Sequence, residues 1–449
     1  MLLKSRRQFT ALAIGLTLLG SLIPLARVAA YVNSKGRNVP FWDQWESSVD
    51  IALRAVEGQL TVTDLNRQYN EHRFPLSNLV TAILARSTGW NLRLEMYLSV
   101  AIACLTLLLL LSMLHRDSVC AVPIAAVPFS ALMFSLAQYF NWLVGFQTES
   151  YFVNLFSIGV IWIFRCRPVG WAALFVASML GVAATFSQGA GVVIWPVALL
   201  QLCAGGYWRA SFVIVWNLVA AATIGLFFWG YSFPARPPVA VAEWIRYTLT
   251  FLGNPFVPEV QGADGIARVF AVVGGVLFLA NVAALRVMGR PLAAVAHWVS
   301  VAGLSLGAAV LAAPLRCSFG VTSALTSRYV THSTLFWVAL VAVVSVVIVD
   351  VLRADVRRRW VSMVAGCTVG LLAVLSVCWA KVDRRGHAAT VVSDKQAQCL
   401  LQYPTSRDAV CLRGIHPAFE PGFTDDQYRD EILRRVDALY AHRLAIFSP

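Results

Sequence analysis

The sequence predicts an all-α integral membrane protein with about eleven transmembrane helices. Three observations carry that reading. Of 449 residues, 58% are hydrophobic and only 13% are charged, whereas soluble domains are about one-quarter charged. The mean hydropathy is +0.68. The apolar residues also fall in blocks close to the ~20 residues a helix needs to cross the hydrocarbon core.

The spans read at roughly 9–32, 94–114, 119–138, 149–164, 169–186, 189–204, 210–231, 267–285, 293–313, 330–350 and 361–380. Only Ser187-Gln188-Gly189 separates the fifth from the sixth, so these two also read as one broken hairpin. Together they make a bundle over 1–380, followed by a small C-terminal tail over 381–449.

The formal charge of +13 raises nucleic acid as a partner. Its distribution argues against that. One set of short loops carries Lys4, Arg6, Arg7, Arg116, Arg165, Arg167, Arg209, Arg286, Arg290, Arg353, Arg357, Arg358 and Arg359 against only Asp117, Asp350 and Asp355. The other side is close to balanced. Basic residues on every second loop set topology by the positive-inside rule. The expected orientation puts the N-terminus on the cytoplasmic side and the long polar loops and C-terminus on the opposite side.

Arg6-Arg7 before the first apolar run, and Ala26-Arg27-Val28-Ala29-Ala30 after it, resemble an export signal with a cleavage site. The reading preferred is an uncleaved first helix, because a helix bundle keeps its first helix. The nine cysteines show no CxxC and no Cys/His ligand set. Cys399 and Cys411 both fall in the tail. A bridge between them would close a loop of about a dozen residues, worth roughly 3 kcal/mol in the chain-entropy model.

The first periplasmic loop, about 33–93, reads as helical pieces that lie along the membrane. Trp45, Val49, Ala52 and Val56 recur at helical spacing up to Gly58. Thr63-Asp64 can cap a second short helix ending near His72, and Pro75 opens an apolar stretch to Ala85. Residues 232–266, with Pro234, Pro237, Pro238, Pro255 and Pro258, read as an irregular loop. Asp425 to Leu444 reads as a helix with Ile432, Val436, Leu439 and Tyr440 on one side.

Several residues have the chemistry for a site. Asp43 lies between Trp42 and Trp45 in Phe41-Trp42-Asp43-Gln44-Trp45. Desolvation there raises a carboxyl pKa and suits it to act as a base near neutral pH. The plain alternative is an aromatic belt whose Asp caps a helix. Asn70-Glu71-His72-Arg73 packs an acid, an imidazole and a guanidinium into one turn. Glu71 suits a cation or a sugar hydroxyl, and His72 with Arg73 a phosphate. The alternative is a solvated loop. Gln138, Asn141, Gln147 and Glu149 crowd the next turn on the same side, and Ser187-Gln188 can join them. They form either a site wall or amides bonding between helices. Arg328-Tyr329 runs against the charge bias and suits a lipid phosphate or a leaving pyrophosphate, with a snorkelling arginine as the alternative. No GxxxxGK[ST], GxGxxG after a strand, GxSxG or HExxH occurs, which weakens ATP-driven transport and serine or zinc hydrolysis.

Four of these motifs occur in the order found in one group of proteins. The Trp42-Asp43-Gln44-Trp45 start, Gln68-x-Asn70-Glu71-His72-Arg73, the turn Asn141 to Gln147 and Ser327-Arg328-Tyr329 resemble the GT-C superfamily of membrane glycosyltransferases. The resemblance covers about residues 1–380, and within the superfamily it is to bacterial members of unassigned substrate. It implies a GT-C-like bundle that transfers sugar from a polyprenyl-phosphate carrier to a lipid or glycan acceptor at the periplasmic face. It makes Asp43 the candidate base, with Glu71 as a second catalytic acid. His72, Arg73, Arg328 and Tyr329 become candidates for the donor phosphate. Trp42, Gln44, Trp45, Asn70, Gln147 and Glu149 become candidates for substrate contact. The superfamily often pairs two adjacent acids in this loop. Here Gln44 follows Asp43 and the nearest further acid is Glu46. The pattern therefore leaves a divalent cation open, and leaves the base open between Asp43, Glu46 and Glu71. Other readings are a lipid-linked glycan flippase or transporter, an O-antigen-ligase-like glycan transferase, and a non-catalytic partner of a synthase.

Overall fold

The computed structural model describes residues 2–166, 169–206, 209–233, 235–353 and 359–449. The side chains of 2–14, Leu16, Leu18 and Cys411 lie outside that description, as do Arg167, Pro234, Asp355, Arg357 and Arg358. The expected Cys399–Cys411 bridge therefore falls on a side chain outside the described residues.

The described chain is helical, and its only β pairing is an isolated bridge between Tyr69 and His72. The main helices are α1 Leu2–Lys35, α2 Ser48–Val56, α3 Pro75–Thr88, α4 Leu92–Asp117, α5 Val122–Met133, α6 Thr148–Cys166, α7 Trp171–Thr185, α8 Ile194–Ala204, α9 Ala210–Phe228, α10 Val241–Gly253, α11 Asp264–Val287, α12 Ala296–Arg316, α13 Val330–Arg353, α14 Arg359–Ala388, α15 Asp394–Ser406 and α16 Asp426–Ala441. Helices fall at the predicted spans, although those at 119–138 and 189–204 are shorter than predicted, at Val122–Met133 and Ile194–Ala204. Among the described residues, seven helical stretches are long and apolar enough to cross a membrane. The protein is accordingly a multi-pass, all-α membrane protein.

Burial sorts these helices. In its most apolar window α13 is 78% buried inside the protein, against 22% for α14. Helix α13 is thus the central post, and α14 leaves most of its surface to lipid. The predicted broken hairpin corresponds to α7 and α8, of 15 and 11 residues. Each is shorter than the ~20 residues of a full span. The indole of Trp195 ties them together by donating to Thr185 Oγ1 at 2.9 Å.

The first loop differs from its sequence reading in one instructive place. Trp45, Val49 and Ala52 are fully buried, as their spacing requires. The second helix, however, covers only Val62–Leu65. Its cap is Thr61, whose hydroxyl takes the Asp64 N–H while Asp64 takes the Thr61 N–H. Beyond it the chain folds into a tight turn, with Tyr69 and His72 exchanging backbone bonds of 2.9 and 3.0 Å. Asn70 sits at φ 49° in the left-handed region, which Asn tolerates better than most residues. That turn, and not a helix, aims Glu71 and His72.

Helix α3 starts on Pro75, whose missing N–H is not needed in a first turn. It buries Ser77, Asn78 and Thr81 and exposes Leu79 and Ile83, the polarity expected of a helix that faces lipid on its outer side. Gly89 ends it at φ 64°. A Cβ there would collide with Ser448 Oγ, because the last turn of the tail packs against this glycine.

Residues 232–266 are not wholly irregular. The prolines lie on either side of α10, a 13-residue helix that buries Tyr247, Thr250 and Phe251. Proline counting found the breaks and missed the amphipathic stretch between them. In α16 the buried face is Ile432, Val436 and Leu439, while Tyr440 is 52% exposed at its edge.

The tail is fastened to α1 and the first loop. Arg27 pairs with Asp383 at 2.6 Å, Arg37 with Asp394 at 2.6 Å, and Arg435 with Asp50 at 3.1 Å. Trp42 N–H donates to Ile415 C=O at 2.9 Å. These contacts hold the segment that carries Asp43.

Candidate functional site

One cavity of about 400 Å³ collects residues from the first loop, α6, the α7–α8 turn, α9 and its exit, α12 and the start of α13. Its polar wall includes Asp43, Glu71, Glu149, Gln188, Arg316 and Arg328. Its apolar wall includes Phe227, Phe228, Tyr231, Phe233, Leu311 and Leu315.

Asp43 lies in a single helical turn, Trp42–Trp45. Gln44 builds that turn, its Oε1 accepting the Phe41 N–H at 3.2 Å. Trp45 is buried beneath it, and Trp42 is 47% exposed outside it. These three shape the Asp43 turn and do not line the cavity. Trp42 has φ 45°, a backbone conformation that costs of order 1–3 kcal/mol in a non-glycine residue. Trp42 and Asn70, both in that left-handed region, adjoin Asp43 and Glu71. Burial raises the Asp43 carboxyl pKa, the neighbouring Glu46 charge adds to this, and Arg328, Tyr69 and Arg316 offset only part of it.

Glu46 is held differently. Tyr69 donates to its Oε2 at 2.5 Å, Tyr428 donates to its Oε1, and His416 Nε2 lies 3.4 Å from that same oxygen. Desolvation opposes the anion, but the bonds from His416 and Tyr69 hold its pKa below the usual range. Tyr428 and His416 come from the tail, so the tail fixes the anion that stands beside Asp43. Tyr428→Phe is expected to lower stability by about 1 kcal/mol, measured by thermal unfolding in detergent. An unchanged unfolding temperature would remove the brace.

Glu71 receives Arg236 Nη2 at 2.9 Å and Arg316 Nη2 at its other oxygen, with its own side chain 2% exposed. Desolvation again opposes the anion, and the two guanidiniums outweigh it. His72 accepts the Gly189 N–H at Nδ1, 3.4 Å away. Burial, and next Arg316, pull its pKa down to about 4. His72 is therefore neutral at pH 7 and binds as a hydrogen-bonding group, not as a cation. Arg73 turns away from the cavity, its two terminal nitrogens donating to Asn66 C=O at 2.9 Å and Trp229 C=O at 2.8 Å. It pins the first loop to the exit of α9.

The second turn divides. Gln147 and Glu149 line the cavity. Gln138 and Asn141 do not: Asn141 Nδ2 donates to Arg328 C=O at 2.9 Å and to Thr331 Oγ1 at 2.6 Å, and Gln138 Oε1 accepts from Thr331. Asn141 thus holds the backbone of Arg328, and both amides hold Thr331 just beyond it. The buried Glu149 takes Gln188 Nε2 at 2.9 Å on one oxygen and leaves the other, Oε2, without a partner. Gln188 Oε1 faces His332 Nε2 at 2.9 Å, and His332 Nδ1 faces Asn154 Oδ1 at 3.1 Å.

Arg328 is the distinctive cation. Its guanidinium lies over the Tyr329 ring at 5.2 Å. It forms no ion pair among the described residues, and its buried Nε has no partner. Tyr329 lines the cavity beside it, stacked at a tilt on Phe251 at 5.0 Å.

The sequence reading missed Arg316, Arg236 and His332. Arg316 shares with Arg328 its place in a segment where basic residues run against the charge bias. His332 lies one helical turn beyond Arg328, the spacing that puts both on one face. Arg236 sits among prolines and gave no signal.

Among the described residues, no group of three His, Cys, Asp or Glu is placed to hold a metal ion. Glu71 is occupied by two arginines and Glu46 by Tyr69, Tyr428 and His416. These residues do not fit a divalent cation, and no step below passes through one. No protein-family model matches the chain, and no curated protein matches it.

Proposed function

We propose that the chain is a GT-C-like glycosyltransferase of a bacterial inner membrane, with about eleven spans and its site at the periplasmic face. Its donor would be a polyprenyl-phosphate-linked sugar and its acceptor a lipid or glycan. One observation carries the reading: Arg328, which forms no ion pair among the described residues, shares a cavity with the desolvated Asp43 and an apolar wall. An anionic phosphate joined to a hydrocarbon chain and a sugar fits those three surfaces together.

In this reading Asp43 takes the proton of the acceptor hydroxyl. The hydroxyl oxygen attacks the anomeric carbon, and the bond from that carbon to the phosphate oxygen breaks. The electron pair leaves with the polyprenyl phosphate, and the configuration inverts. Arg328 and Arg316 stabilise the growing negative charge, the kind of term that usually dominates catalysis. Gln147, Glu149 and Asn70 contact the sugar. The opposite end of the bundle is latched, with Asp117 bound by Arg165, His297 and Trp298, and Arg290 by Asp350. That closure supports chemistry at one face over passage through the bundle.

The test is acceptor-dependent transfer by the purified protein, supplied with a polyprenyl-phosphate sugar. Arg328→Lys is expected to raise the apparent donor KM tenfold or more, roughly one lost guanidinium contact. No transfer by the parent with any such donor, or an unchanged donor KM in the variant, defeats the reading.

A further inference from the structure

A second cavity, of about 490 Å³, lies apart from the first. It opens between α14 and the segment 256–270. Helices α11 and α14 meet where Asn281 Nδ2 donates to Thr368 Oγ1 at 2.7 Å. Roughly 16 Å away along α11, at 1.5 Å rise per residue, they have parted. The gap is lined by Phe256, Val260, Ile266 and Phe270 on one side. On the other side stand Lys381, Arg384 and Arg385, with Cys378 and Val382.

Spacing puts the three cations on one face of α14, since 381, 384 and 385 are one turn apart. None forms an ion pair among the described residues, and Arg384 uses only its Nε, donating to Ala380 C=O at 3.2 Å. No acid lines the cavity. The nearby acids are elsewhere: Asp383 is committed to Arg27 and the Leu136 N–H, Asp264 pairs with Arg268, and Glu259 lies outside the lining. Three positive charges that form no ion pair among the described residues therefore rim an apolar floor.

The surroundings identify the occupant. The cations follow directly on the apolar stretch of a helix long and apolar enough to cross a membrane, the position at which basic side chains meet anionic headgroups. Exposed Val269 and Val273 of α11, and Val374 and Val377 of α14, continue the apolar floor down the lipid-facing flank. A soluble anion would use the rim and leave this floor bare.

We infer that this cavity is a binding site for an anionic phospholipid, with the headgroup phosphate on Lys381, Arg384 and Arg385 and an acyl chain over Phe256, Ile266 and Phe270. The site is independent of the sugar-transfer reading.

The experiment uses the full, delipidated chain in detergent, titrated with dioleoylphosphatidylglycerol or dioleoylphosphatidylcholine and read by native mass spectrometry. The parent is expected to retain the anionic phosphatidylglycerol preferentially. Lys381→Gln/Arg384→Gln/Arg385→Gln is expected to weaken that retention about 100-fold, from the usual worth of a basic side chain against anionic lipid. A control with equal charge loss in the tail, Lys395→Gln/Arg413→Gln/Arg434→Gln, is expected to keep it. So is Arg328→Gln, which alters the other cavity. Ile266→Trp, which fills the floor without changing charge, is expected to lose it. The inference is overturned if the triple variant retains the lipid as the parent does, if both lipids bind equally, if Arg328→Gln abolishes the preference, or if millimolar inorganic phosphate displaces the lipid completely.

Discussion

Asp43→Asn is expected to lower sugar transfer by about 100- to 10,000-fold, the usual worth of a positioned base, while leaving the fold at least as stable as the parent. The two halves have one cause. Burial and the neighbouring Glu46 charge raise the Asp43 pKa. A carboxyl with a raised folded pKa binds its proton more tightly in the folded state than in the unfolded one. Stability therefore falls as pH rises from the ordinary value of 3.8 through the raised value, and the full cost is present once pH exceeds the raised value. Asparagine keeps the shape and removes the charge, so it removes that cost. Parent activity rises with pH through the same window, because only the anion accepts a proton. The residual activity of Asp43→Asn should lack that limb. The checks are transfer rates across pH and the unfolding temperature in the same detergent. Full activity removes Asp43 as the base. An inactive variant that also unfolds several degrees lower makes it a structural residue.

Much of this arrangement is legible in the sequence, for identifiable reasons. Membrane character follows from the scarcity of charge, which no packing detail can reverse. Asp43, Glu149 and Arg328 are found because each is a charged residue beside aromatic or apolar neighbours, where its charge is costly, and Glu71 because it is the acid of a polar tetrad. What is not legible is the direction in which a side chain points. Glu71, His72 and Arg73 are consecutive, yet Glu71 and His72 reach the cavity while Arg73 turns to Asn66 and Trp229. A helix and a tight turn distribute three neighbours differently, and the turn depends on the Tyr69–His72 bridge, which no local propensity announces. Charge state is also hidden. In a solvated loop His72 would titrate near its ordinary 6.5, whereas burial, and next Arg316, pull it down to about 4. The brace on Glu46 is the extreme case, because Tyr428 and His416 lie more than 350 residues away in sequence.

Glu71→Gln tests the other half of the site. Glu71 is buried between two guanidiniums whose own side chains are 25% and 18% exposed. Removing its charge leaves Arg236 and Arg316 facing each other. Breaking a fully buried pair costs about 3–5 kcal/mol, and the partial exposure of both arginines reduces this to about 2–3 kcal/mol. The unfolding temperature should fall accordingly, and Glu71→Gln/Arg316→Gln should recover part of the loss, because it removes one stranded cation. The pH signature is opposite to that of Asp43. The folded pKa of Glu71 is depressed, so its contribution is complete above the ordinary value of 4.5 and is lost as pH falls through the lowered one. Acid should therefore destabilise the parent more than Glu71→Gln. Transfer should fall in this variant through the displaced Arg316, raising the donor KM more than it lowers kcat. If Glu71→Gln instead keeps the parent's stability and loses kcat with an unchanged donor KM, the proton is taken at Glu71, and Asp43 gives up that role.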